Sequence, residues 1–193
     1  MVIYALIVYA LMSVAIVLSC VTFYKPSFYF YSPLLKIAFS CGIFALCLFP
    51  LSFSISSFFY VFFDIPSFSI LILSIVSIVR FFLPSIRLMI GYRGFIALFA
   101  AWFFLSLNSL DIWVCGYVGL SDEILVATWI IALIYCIDRL CAVMLLIACM
   151  LWLLFPNMTD IYDGLFDPIV AIFGFCMQTI SPSKAVFMKF SRV

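Results

Sequence analysis

ILVATWIIALIYCIDRLCAVMLLIACMLWLLF, Ile124 to Phe155, is the stretch on which the fold turns, and it carries only two charges, the adjacent Asp138 and Arg139. As one helix it would run roughly 48 Å at about 1.5 Å per residue, well beyond the ~30 Å hydrocarbon core of a bilayer. Two full crossings would take about 40 apolar residues plus a turn, and no Gly or Pro stands near Asp138 to make that turn. The stretch is long for one crossing, short for two, and apolar enough for lipid on either count.

The rest of the chain has the same character. Hydrophobic residues make up 69% and charged residues 9%, against about a quarter charged in soluble domains. Lipid cannot hydrogen-bond exposed backbone, so only helices or closed barrels span it. The apolar runs lack the in-and-out alternation of barrel strands. The expected fold is therefore all-α: a polytopic integral membrane protein of six transmembrane helices, within a range of five to seven, forming a single transmembrane domain over residues 1–193 with no soluble domain.

Composition also closes routes to chemistry. The chain has no His, which removes the usual ligands of haem, copper and catalytic zinc and the usual partner of a Ser or Cys nucleophile. The eight cysteines show no C-x-x-C spacing, and they read as small buried hydrophobes. A net charge of +1 with scattered basic residues gives no nucleic-acid footprint. The expectations are no enzyme activity, no cofactor and no bound metal.

Taken in order, residues 1–23 form an apolar first span without the basic n-region of a secretory signal. Aromatic rings around Lys25, followed by Lys36, suit a membrane interface. Residues 37–63 read as a second span, bent at Pro50, and Asp64-Ile65-Pro66 as a turn. A third span starts at Phe68 and meets Arg80, then Arg87 and Arg93. Lys25, Lys36, Arg87 and Arg93 are expected to be interfacial basic anchors, with Arg80 able to snorkel toward the same interface. The spacings of seven and six between those arginines do not match the every-third-residue pattern of a voltage sensor. A fourth span covers 94–110.

Beyond Asp111 two readings stand. In the preferred one, Ser121 caps a helix whose first turn holds the anions Asp122 and Glu123, and one long tilted helix runs to Phe155. In the other, 112–137 and 140–155 are separate spans meeting at Asp138-Arg139, which leaves Asp122 and Glu123 in mid-membrane at about 2.5–3.5 kcal/mol each. Residues 169–180 form the last span, after an acidic loop holding Asp160, Asp163 and Asp167.

Asp138, Arg139, Arg80, Asp122 and Glu123 are the candidate ion-path or helix-pairing residues, because ionisable groups inside lipid need partners and gather along ion paths. Adjacent helical residues point about 100° apart, so Asp138 and Arg139 cannot satisfy each other. With no domain outside the membrane, the sequence points to a non-catalytic multi-pass subunit of an energy-transducing or translocation complex, packed against partner helices and lining an ion path. A self-contained small ion channel or transporter is the alternative, and a membrane immunity or exclusion protein a third. Expected partners are the lipid bilayer and other membrane subunits. The expected location is an inner membrane, mitochondrial or bacterial.

Overall fold

The computed structural model describes residues 2–25, 28, 31–49, 54–83, 90–109, 120–155 and 161–180. These form nine helices: α1 (Val2–Tyr24), α2 (Pro33–Leu48), α3 (Ile55–Phe63), α4 (Phe68–Phe82), α5 (Tyr92–Ser109), α6 (Leu120–Ile137), α7 (Arg139–Leu154), α8 (Ile161–Leu165) and α9 (Pro168–Ile180). The fold is all-α, with no strand among the described residues. One helix among them, Val2–Tyr24, is long and apolar enough to cross a membrane by itself. The other apolar helices are shorter, as in Pro33–Leu48 and Arg139–Leu154.

The chain divides into two compact units: Met1–Asp64 with Ser74–Arg87 and Cys176–Val193, and Ile65–Leu73 with Leu88–Phe175. In the first unit α1 packs against α2 and α3. Its buried face mixes Ala5, Ala10, Ser13 and Ala15 with Val8, Met12 and Leu18, and such small side chains let neighbouring backbones approach closely. Tyr9 is wholly buried; its ring stacks on Phe59 and its hydroxyl donates to the Asp64 carbonyl at 3.1 Å. Asp64 closes α3 with φ 55° and ψ −137°, a positive φ that is uncommon outside glycine. The expected turn at Asp64-Ile65-Pro66 lies here, between α3 and α4.

The expected single span over 37–63 is instead two helices. Phe49 ends α2, and Ser54 starts α3 by accepting the Ser57 N–H at 3.1 Å. A hydroxyl satisfying an orphan donor favours a new helix start over continuation. Pro50 lies outside the described residues.

In the second unit α5 packs on α6, α6 on α7, and both α6 and α7 touch α8. The preferred reading of one helix from Asp122 to Phe155 is corrected here, because the helix breaks at Asp138. That residue is extended, with φ −149° and ψ 109°, and its carboxylate accepts the Cys141 N–H. Absence of Gly and Pro had argued against a turn; a capping carboxylate makes the break in their place. Asp122 and Glu123 do fall in the first turn of α6, but the helix begins at Leu120 rather than Asp122, so Ser121 lies inside it and is not its cap.

Candidate functional site

Asp138 joins two helix starts. Its Oδ1 accepts the Cys141 N–H at 3.1 Å, capping α7, and its Oδ2 accepts the N–H of Gly91, the residue before α5. Gly91 holds that cap position through its carbonyl, which accepts from Gly94 and Phe95. A carboxylate at two helix N-termini satisfies two orphan donors and meets the positive ends of two macrodipoles.

The approach needs glycine on the α5 side. A Cβ on Gly91 would stand 2.9 Å from Asp138 Oδ2, and one on Gly94 would stand 3.0 Å from the same oxygen and 2.9 Å from Ile90 Cγ2. Cys141 adds a weak bond from its thiol to the Gly94 carbonyl at 3.7 Å.

Arg139 begins α7, is exposed, and lies over the Tyr135 ring at 5.8 Å from its centroid. It makes no ion pair with Asp138, whose oxygens face the backbone of α5 and α7. Arg93 is exposed in the first turn of α5, two residues past Gly91. The Asp138 knot thus brings Arg93 and Arg139 to the starts of two joined helices.

The other candidate residues lie elsewhere. Glu123 is half-buried near the start of α6, about 22 Å from Asp138 along the helix axis at ~1.5 Å per residue. The Asp122 side chain and all of Arg87 lie outside the described part. Arg80 sits half-buried in the last turn of α4, in the first unit, where a cation suits the helix C-terminus. Lys25 is exposed just after α1. Lys36 is buried in the first unit, its ammonium 5.6 Å from the Phe81 ring centroid. Within the second unit, then, Glu123 and Asp138 stand apart, while Arg80, Lys25 and Lys36 belong to the first.

A second carboxylate repeats the joining motif. Asp167 precedes α9 and accepts the Ile169 N–H at 2.8 Å. It also takes hydrogen bonds from the side chain and backbone of Ser67, whose own hydroxyl and carbonyl accept from Ile70 and Leu71 at the start of α4. Beside it, Ser69 donates to the Leu165 carbonyl at 2.8 Å. Burial pushes the Asp167 carboxyl above its ordinary range and nearby Asp163 pushes the same way, against the pull of the Ile169 and Ser67 hydrogen bonds.

This role was hidden in a run of three aspartates that reads as a solvated loop. The available signal was Asp167-Pro168, a capping residue followed by Pro at the first helical position. Gly91 and Gly94 were also missed as partners of Asp138; their spacing of three, just ahead of an apolar run, was the available signal. Asp160 lies outside the described residues. Among the described residues no three Cys, Asp or Glu side chains converge as a metal site would need. No family model, curated protein or solved structure matches this chain.

Proposed function

We propose that the chain is a multi-pass membrane protein that serves as a non-enzymatic subunit of a larger membrane complex, built to pack against lipid and partner helices. The observation that carries the reading is a surface crowded with large apolar side chains, over an apolar core that also takes in polar ones. Ser13, Ser56, Ser67, Ser69, Ser74 and Lys36 are buried, while Phe58, Phe62, Trp129, Leu133, Met150 and Leu154 stand exposed. In water such a surface would aggregate; in lipid it matches its surroundings, and polar groups are better placed between helices.

The short helices are compatible with this reading. A 16-residue helix such as α7 rises roughly 24 Å, and a span shorter than the hydrocarbon core is accommodated by local thinning and by snorkelling of flanking residues. Arg139 and Tyr135 flank α7 in that way. The carboxylate of Asp138 is occupied by backbone donors of two helices, which supports a fastening role over a place in an ion path.

Gentle detergent extraction from the native membrane tests the assignment. The chain is expected to migrate in an assembly much larger than its 22.0 kDa and its micelle. Migration alone, together with solute or ion flux in liposomes holding only this chain, would replace it with the channel reading.

A further inference from the structure

We propose that Arg93 and Arg139 form a site for the phosphate of an anionic phospholipid headgroup, at the end of the second unit where α5 and α7 begin. The site rests on the membrane reading above and adds to it a class of lipid.

Neither cation forms an ion pair among the described residues. The Asp138 carboxylate gives both oxygens to the N–H groups of Cys141 and Gly91, and its one negative charge against two guanidiniums leaves the joint positive. The described contact of the Arg139 guanidinium is the Tyr135 ring. Each arginine also sits in the first turn of a helix, where the macrodipole disfavours a cation. Asp138 offsets the two dipoles in part, and an external anion answers the positive charge that remains.

The order of side chains along the helices identifies that anion. On α7, Arg139 stands at the head of an exposed face continued by Val143, Leu146, Ile147, Met150, Leu153 and Leu154. At about 100° per residue these occupy one sector, opposite the buried Cys141, Leu145, Ala148 and Trp152. On α5 the exposed face opens with Tyr92 and Arg93 and continues with Ile96, Phe99 and Phe103. Each helix therefore begins with a cation beside a ring, Tyr92 on α5 itself and Tyr135 reaching Arg139 from the end of α6, and beyond them lies apolar surface. A leaflet has the same order: phosphate, the interface where aromatic rings settle, then acyl chain.

A carboxylate on a partner helix meets one arginine, whereas the headgroups of a leaflet offer phosphate to both. A second copy related by a twofold axis along the membrane normal would bring Arg139 to the level of its own image, like charge beside like. The guanidinium fork suits phosphate oxygens in particular.

The test uses the purified full chain in vesicles of phosphatidylcholine with and without phosphatidylglycerol, followed by native mass spectrometry of the lipid retained on the released protein. The wild type is expected to retain phosphatidylglycerol in preference, by about fivefold per guanidinium. Arg93→Gln and Arg139→Gln each lose their share, the double variant shows no preference, and Arg139→Lys keeps part of it. Both side chains are exposed, so unfolding midpoints are expected to hold in all of them. Equal retention of the two lipids by the wild type, or a preference that survives in the double variant, overturns the site. So does an Arg139→Gln variant that loses a co-purifying membrane protein while keeping its lipid preference, since the arginine then serves a partner helix. A chain that stays out of the vesicles altogether overturns the membrane reading and the site with it.

Discussion

Asp138 and Asp167 show how one residue type fastens helices by satisfying the backbone donors at their starts. Each carboxylate serves the start of its own helix and reaches the start of another. Asp138→Ala leaves the N–H groups of Gly91 and Cys141 without their acceptor, and is expected to cost about 2 kcal/mol. Asp138→Asn keeps one carbonyl oxygen and should lose about half as much. Thermal unfolding in detergent micelles measures both, and an unchanged midpoint in the alanine variant would deny the joint its role.

Asp167 carries a pH dependence of unusual sign. Burial holds its folded pKa above the unfolded value, so the folded protein binds this proton more tightly. Its contribution is most favourable below the ordinary carboxylate range, and it declines as pH rises from about 4 through the raised folded value. Unfolding midpoints of wild type and Asp167→Asn, compared across mildly acidic pH, should diverge in that window, with the wild type falling more steeply. Parallel curves would mean that Asp167 titrates as though in solvent.

At the level of helices, the contact between α5 and α9 has no slack. A Cβ on Gly174 would overlap the Phe95 ring, which is buried. Gly174→Ala is expected to destabilise by about 1–3 kcal/mol, and adding Phe95→Leu should recover part of the loss. A double-mutant cycle with no coupling energy would remove that contact from the account.

The break between α6 and α7 is open to chemistry. Cys141 is buried against Gly94 at the Asp138 joint, so maleimide should modify it slowly as the sole remaining cysteine, and faster once Asp138→Ala loosens the joint. Equal rates would place the break somewhere other than the cap.

The same elements show how much was legible. Long apolar runs announce helices by their length, and Asp64-Ile65-Pro66 announces a turn by its chemistry. The breaks at Ser54 and Asp138 were obscure because they are made by side chains accepting backbone N–H groups, an act that leaves composition unchanged. Of the site, the sequence exposed Asp138 and Arg139 as charges in an apolar run. It hid that Asp138 is answered by the backbone of a different helix, since Gly91 has no side chain with which to signal it. Asp167 was obscured in the same manner, its partner Ser67 being one serine among many and far away along the chain.

For the molecule as a whole, the proposal depends on where polar and apolar side chains lie. Ser13, Ser56, Ser67, Ser69, Ser74 and Lys36 lie inside while Phe58, Phe62, Trp129 and Leu133 stand outside, and the exposed described side chains of α5 and α7 beyond Arg93 and Arg139 are all apolar. The most direct test is fractionation of cells that produce the full chain, with the membranes washed in alkaline carbonate. The account predicts that the protein stays in the membrane pellet and leaves it only with detergent. Recovery in the wash as a detergent-free, monodisperse monomer would contradict it.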